Sequence, residues 1–308
     1  MTISELSNNI LSLVSSVPQL RETEILYNEP MSRHTTFRIG GAAAALAFPK
    51  STAELKSLAD ALSAGGINFI VIGNGSNLLV RDAGIAAAVI STAKMNGIDF
   101  AGENDTLICG CGAMLPRVSS QCAKNSLSGF EFASAIPGTI GGGIVMNCGA
   151  YGGCMADVVE ETEYLSPTGE IKLLPRAAHD FSYRNSFFAK NPQNIVLSAK
   201  IKLHRAEKSI IESAIRENIA RRAGQPTDKP SAGSVFKRSG GISAGKLIED
   251  CGLKGFHIGG ACISPKHAGF IVNNGGASAD DVLRLIELAR NSVKNKFGIE
   301  LECEIKII

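Results

Sequence analysis

Apolar positions follow two periods along this chain, and the change between them outlines its parts. Residues 4–16 carry helical spacing and predict an amphipathic helix. Residues 31–41, MSRHTTFRIGG, read as a loop and short strand closing on a glycine pair. AAAALAF (42–48) and INFIVIG (67–73) are unbroken apolar runs of strand length. Between them TAELKSLADALSA (52–64) returns to helical spacing. Ser51 stands at its N-cap, Glu54 completes a capping box, and Gly65 and Gly66 end it. A strand-like LLV (78–80) follows. From about 86 to 205 the short runs AAAVIST, TLICGCG, EIKLLP and NIVLSAKIKLH alternate with turns, interrupted by a helix at 116–126 and a glycine-dense stretch at 137–153. After 206 the pattern predicts a charged helix (207–223), a loop (224–234), helices at 243–251 and 278–296, strands near 262 and 270, and a final strand LECEIKII. Three units are expected: 1–85, 86–205 and 206–308.

Composition narrows the function classes. With 44% hydrophobic and 19% charged residues, long disorder is excluded. Thirty-one basic against 29 acidic residues, 6% aromatics and no Trp argue against nucleic acid as partner. No apolar run reaches membrane-span length, and the acidic, base-free N-terminus does not read as a secretory signal. The eight cysteines contain no Cys-x-x-Cys pair, so no metal site is expected. They read as reduced, mostly buried thiols of a cytosolic protein, with Cys109 and Cys111 on one strand face.

The 33 glycines concentrate in two loops. Ile72-Gly73-Asn74-Gly75-Ser76-Asn77-Leu78 has Gly-x-Gly, yet Leu78 occupies the third glycine of a Rossmann fingerprint, and the loop joins strand to strand rather than strand to helix. What remains is a tight turn with open N–H groups and hydroxyl and amide donors, suited to a phosphate. A plain hairpin-like turn explains it equally well. Pro137-Gly138-Thr139 opens the second loop, where seven glycines fall between 138 and 153, Gly141, Gly142 and Gly149 among them, with Asn147 and Ala150. Such density costs ordering entropy. It is explained by a ligand lying on the backbone, with Thr139 near a helix N-terminus facing phosphate. The competing explanation is a tight helix–sheet contact.

TTFRIGG (35–41), GNGSNLL (73–79), IPGTIGG (136–142) with MNCGAYG (146–152), YRNS (183–186) and AGSVFK (232–237) occur in one order. Together they resemble the UDP-N-acetylenolpyruvoylglucosamine reductase family, from about residue 30 to the C-terminus. The resemblance implies an α+β chain: a two-lobed FAD-binding domain of the vanillyl-alcohol-oxidase type, then a C-terminal α+β substrate-binding domain. It implies non-covalent FAD held by both glycine loops, and NADPH-dependent reduction of UDP-N-acetylglucosamine enolpyruvate to UDP-N-acetylmuramate. The short stretch from Phe188 to Ile195 is similar to the subclass lacking an inserted Tyr-bearing loop. In the family chemistry the flavin gives hydride to the carbon β to the carboxylate, and charge builds toward the carboxylate. Carboxylate donors and a proton source are then needed. By the same resemblance Ser234 is the proton donor, Arg184 holds the carboxylate, and Glu304 is the catalytic glutamate. Glu302 shares the strand face of Glu304, so that choice rests on the motif. Tyr151 and Lys237 match substrate contacts at the sugar-diphosphate. His267 reads as a packed histidine and His34 as support for its loop. A small-molecule enzyme acting as a monomer, without nucleic acid or membrane, is expected.

Two positions depart from the family pattern: Ala135 before Ile-Pro-Gly, and Gly143 after Gly-Gly. Two competing functions follow from the same residues. One is a sugar or alcohol oxidase on this scaffold, many of which tether flavin covalently through His or Cys, and Cys148 lies near such a loop. A non-catalytic nucleotide-binding module would lack the Ser234, Arg184 and Glu304 trio.

Overall fold

The computed structural model describes residues 2–100 and 105–308. Its first lobe is a four-stranded sheet in the spatial order Glu24–Pro30, Ala42–Phe48, Ile85–Ser91, Phe69–Ile72. The first pair is antiparallel and the other two are parallel. Ala43 to Leu46 are at most 1% exposed, as a central strand covered on both faces should be. Their small side chains let the helix Ile3–Ser15 lie close: Ser7 Oγ donates to Ala44 O at 2.6 Å, and Ile10 and Val14 are buried beneath it. The helix Thr52–Ala64 starts at Ser51, whose side chain accepts from Glu54 N–H. The expected capping box is only half formed. The Glu54 carboxylate accepts from Lys50 N–H and Thr23 Oγ1 instead of from Ser51 N–H.

The second lobe is a five-stranded antiparallel sheet in the order Ile171–Pro175, Val159–Leu165, Ile195–Lys202, Thr106–Gly110, Ile98–Asp99. Cys109 and Cys111 both point into its core. The C-terminal part is an antiparallel sheet, Ser231–Ser234, Phe270–Asn273, Ala261–Ile263, His257–Ile258, carrying the helices Ala244–Asp250 and Ala279–Phe297. The long helix has a complete capping box at Ser278 and a left-handed Gly298 at its end.

Two joins differ from the three-unit outline. Residues 85–91 complete the first sheet, so a boundary at 86 falls inside one of its strands. The helix Lys208–Arg222 packs on the second lobe, where Asn218 Nδ2 donates to Glu131 O at 2.9 Å. The C-terminal core also takes in Phe37, Ile39 and Leu79 from the first lobe. The end of the chain returns there too: Lys306–Ile307 pairs in parallel with Leu78–Leu79, and the rest of the expected final strand is irregular. No helix among the described residues is long and apolar enough to cross a membrane.

Candidate active site

The loop 73–77 lies where three parts of the chain meet. Asn74 Nδ2 donates to Pro137 O at 2.8 Å, and Asn77 Nδ2 donates to Glu304 O at 3.2 Å. Thr36 N–H donates to Gly75 O. A side chain at Gly73 would meet Thr139 Oγ1 at 2.3 Å. One at Gly75 would meet His34 O at 2.3 Å, in a residue with φ +61°. Both glycines are therefore required for the loop to sit between its neighbours. None of the backbone N–H groups of 73–77 reaches a backbone acceptor among the described residues. They are open to a ligand such as a phosphate.

Beside this loop opens a cavity of about 680 Å³, within the usual range for small-molecule sites. Thr35, Thr36, Gly73, Asn74, Ser76 and Pro137 line it, with residues 226–231 and Gly233. Open donors, an unobstructed backbone at Gly233 and this volume fit a dinucleotide with a diphosphate.

The second glycine loop is built differently from expectation. Thr139 does cap a short helix, Ile140–Val145, with its side chain accepting from Gly142 N–H. The first donors of that terminus already have partners within the protein. Ile140 N–H donates to Ala113 O at 2.9 Å and Gly141 N–H to Cys111 O at 2.8 Å, so its leading donors are used inside the protein. Gly141 is buried in a helix–sheet contact, whereas Gly142 faces outward. Gly138 leaves ordinary room for contact with Ser76. Asn147, at φ +40°, donates from Nδ2 to Ser182 O and accepts Ala156 N–H. It thereby ties the loop to the turn bearing Arg184. Gly149 and Ala150 pair with Cys154 and Gly153 in a small hairpin, with Tyr151 at φ +54° in its turn. Cys148 is half-buried, and desolvation pushes its thiol up to about 12 despite the nearby Arg184. It is not the thiolate that a covalent flavin tether would use.

The reacting groups come from three distant segments. Ser182 and Asn185 pair across a tight turn whose inner residues are Tyr183 and Arg184, the latter at φ +56°. That twist aims the Arg184 side chain at Glu304, with Nε to Oε1 at 2.5 Å and side-chain exposures of 22% and 14%. Among the described residues Arg184 commits Nε alone, which leaves its terminal guanidinium nitrogens to grip a carboxylate bidentately. Burial raises the Glu304 carboxyl above its ordinary range, and Arg184 and Lys237 oppose that rise. Ser234 ends the strand Ser231–Ser234 opposite Phe270, and its neighbour Val235 accepts Glu304 N–H at 2.7 Å. Ser234 and Glu304 are thus on directly hydrogen-bonded segments. Glu302 points away, 71% exposed, and takes the Lys237 ammonium at 2.5 Å. The motif's choice of Glu304 agrees with this geometry.

His267 is a packed residue, accepting Gly269 N–H at Nδ1 and resting edge-on against Phe270. His34 pairs with Glu29 at 2.9 Å and supports its loop. Sequence reasoning missed Tyr183 and Arg222. The Tyr183 ring lies 5.3 Å from the Arg184 guanidinium, and its hydroxyl accepts Arg238 N–H. Arg222 lines the cavity. The only local signal for Tyr183 was its place beside Arg184.

Comparison with known proteins shows the family. Residues 225–308 match the family model described as UDP-N-acetylenolpyruvoylglucosamine reductase, C-terminal domain, and residues 43–174 match an FAD binding domain. A UDP-N-acetylenolpyruvoylglucosamine reductase of Caldanaerobacter subterraneus is 48% identical over 94% of this chain and 95% of its own. One of Clostridium botulinum is 44% identical over 92% of each. The crystal structure of the Thermus caldophilus reductase superposes with TM-score 0.79 at 35% identity, covering 93% of this chain and 98% of that one. The glucose dehydrogenase Phl p 4.0202 shares the fold alone, at TM-score 0.50 and 14% identity over 65% of this chain and 44% of its own. The two lobes are thus an FAD-binding domain of the vanillyl-alcohol-oxidase type followed by a C-terminal domain, and the chain belongs to the UDP-N-acetylenolpyruvoylglucosamine reductase family of flavin-dependent oxidoreductases.

Proposed function

We propose that this chain reduces the enolpyruvyl double bond of UDP-N-acetylglucosamine enolpyruvate to UDP-N-acetylmuramate, a step of peptidoglycan precursor synthesis, with NADPH as electron source. The observation that carries the reading is the Arg184–Glu304 pair, brought together from segments 120 residues apart and tied to the 73–77 loop by the bond from Asn77 Nδ2 to Glu304 O.

FAD, when bound, supplies the hydride that the carbon β to the carboxylate accepts. The backbone from Ile72 to Leu78, with Asn74, Ser76 and Asn77, holds its diphosphate. Pro137, Gly138, Thr139, Gly141, Gly142, Asn147, Gly149 and Ala150 form the second wall. Arg184 grips the substrate carboxylate through its free nitrogens and stabilises the charge that gathers there. Glu304 fixes the guanidinium from its other edge. Ser234 gives its hydroxyl proton to the α carbon, which completes addition of two electrons and two hydrogens across the double bond. Tyr151 contacts the sugar-diphosphate end, where the family resemblance also puts Lys237. The chain is read as acting as a monomer. The unpaired cysteines support a reducing, cytosolic setting.

An anaerobic titration tests this. NADPH should bleach the flavin band, and the enolpyruvyl substrate should restore it. A flavin that bleaches and is reoxidised only by oxygen would overturn the reading in favour of an oxidase. Protein that holds no flavin after reconstitution would mean the glycine loops are misread.

A further inference from the structure

The sugar-diphosphate needs a cation, and Lys237 is poorly placed to be that cation. Its ammonium is already held by Glu302 at 2.5 Å. The other acids near the cleft are also taken: Asp228 by Lys266 at 2.7 Å and Glu304 by Arg184. Arg222 is different. It lines the cavity together with Pro226, Thr227, Lys229 and Gly233, and no carboxylate lies within 4 Å of it among the described residues.

The helix Lys208–Arg222 explains why. Ile211 and Asn218 are its buried positions, and Asn218 anchors it to Glu131 O. Arg222 stands one turn beyond Asn218, on the same inward face. Its neighbours point elsewhere: Arg221 pairs with Glu217 at 3.7 Å on the outer side, and Arg216 is exposed. The last turn therefore delivers one half-buried guanidinium into the cavity. Tyr151, at φ +54° in its hairpin turn, lies within electrostatic reach of it. A desolvated guanidinium without a counter-ion is stabilised by a phosphate far more than by water.

We propose that Arg222, with the Tyr151 phenol beside it, binds the diphosphate of the uridine nucleotide, the place that the family resemblance gives to Lys237. The inference rests on the substrate reading above. The cofactor's own diphosphate has the open N–H groups of residues 73–77, so it does not require Arg222.

The test is calorimetric titration of FAD-loaded protein with UDP and with uridine. Wild type, Arg222→Gln, Arg222→Lys and Lys237→Gln are compared, with flavin content per chain measured for each. Loss of one charge-assisted contact should weaken UDP binding in Arg222→Gln by roughly 10–100-fold and leave uridine binding unchanged. Arg222→Lys should recover part of that loss, Lys237→Gln should change UDP affinity less, and flavin content should stay level. UDP affinity unchanged in Arg222→Gln would overturn the proposal. So would loss of flavin with UDP binding intact, which would make Arg222 a cofactor residue. Equal weakening of UDP and uridine would overturn it as well, since that is a structural effect. Failure of the wild type to bind UDP would instead refute the substrate reading itself.

Discussion

Glu304→Ala removes one partner of the central ion pair, and its effect can be sized from the geometry. Breaking a fully buried pair costs about 3–5 kcal/mol, and a charge-assisted hydrogen bond about 1.5–3 kcal/mol. Here the partners keep 14% and 22% exposure, so water can partly replace the lost carboxylate. The loss of Arg184 positioning should then be about 2–3 kcal/mol, or ~30–150-fold in kcat/KM for the enolpyruvyl substrate. Stopped-flow work under anaerobic conditions separates the half-reactions. Flavin reduction by NADPH should be nearly unchanged, and reoxidation by the enolpyruvyl substrate should carry the whole loss. Equal slowing of both halves, or an unchanged second half, would refute the assignment. The pH dependence adds a sign. Burial raises the Glu304 carboxyl, so the ion pair forms as pH climbs through that raised value. Activity that depends on the pair should rise over the same window. Stability should move oppositely. A raised folded-state value favours the protonated form, so this group's contribution is complete at low pH and is lost as pH rises through the folded value. Glu304→Gln, which cannot titrate, should flatten both curves.

Ser234→Ala should leave flavin reduction by NADPH intact and slow substrate reduction by about 10²–10⁴-fold, read in the same half-reactions. Gly75→Ala places a Cβ 2.3 Å from His34 O at φ +61°. The left-handed strain alone costs about 1–2 kcal/mol, so both Tm and flavin retained through gel filtration should fall. His179 is fully buried, with Nδ1–H donating to Pro175 O and Nε2 accepting from Thr162 Oγ1, and burial lowers its pKa. Its stabilising contribution is therefore present above the ordinary histidine range and lost as pH falls through the lowered value. His179→Gln should flatten that acid limb in urea unfolding. Burial pushes Cys111 and Cys148 up to about 12. A thiol reagent at pH 8 should leave both unmodified in native protein and reach them only in denaturant.

Much of the fold was legible because it is locally coded. The helices 3–15, 52–64 and 279–297 carry their own spacing and a capping side chain at the start, and 208–222 is marked by its run of charged helix formers. The strand Glu24–Pro30 was not singled out. It lies at a sheet edge, half-buried except at the exposed Glu24 and Asn28, and shows neither alternation nor an apolar run. Val159–Leu165 was missed for a related reason. Its glutamates break the apolar run, and two register shifts disturb its pairing with Ile195–Lys202. Ser231–Ser234 read as loop, because a Pro- and Gly-rich segment becomes a strand only when Phe270–Asn273 is beside it. In the site, the residue types were legible through motif order. The aim of Arg184 was not, since it depends on a positive φ, and neither was the neutralisation of Lys237 by Glu302.

The last eight residues explain why the site is non-local. Leu301 and Ile305 are buried in the C-terminal core, which fixes the alternate positions Glu302 and Glu304 relative to it. Val235 O then accepts Glu304 N–H, which sets this segment against the strand bearing Ser234. Two further bonds go to the cofactor loop: Asn77 Nδ2 donates to Glu304 O, and Lys306 N–H donates to Asn77 O. Pairing of Lys306–Ile307 with Leu78–Leu79 completes the tie. One short segment thus sets the positions of the diphosphate loop, Ser234 and the partner of Arg184 together. Removing residues 306–308 would delete the parallel pairing while leaving every reacting side chain in the protein. If this segment aligns the site, the truncated chain should keep its NADPH half-reaction and lose speed with the enolpyruvyl substrate beyond what any fall in flavin content explains. A truncated chain with both half-reactions intact would show that the helix–sheet core alone holds Glu304 in place.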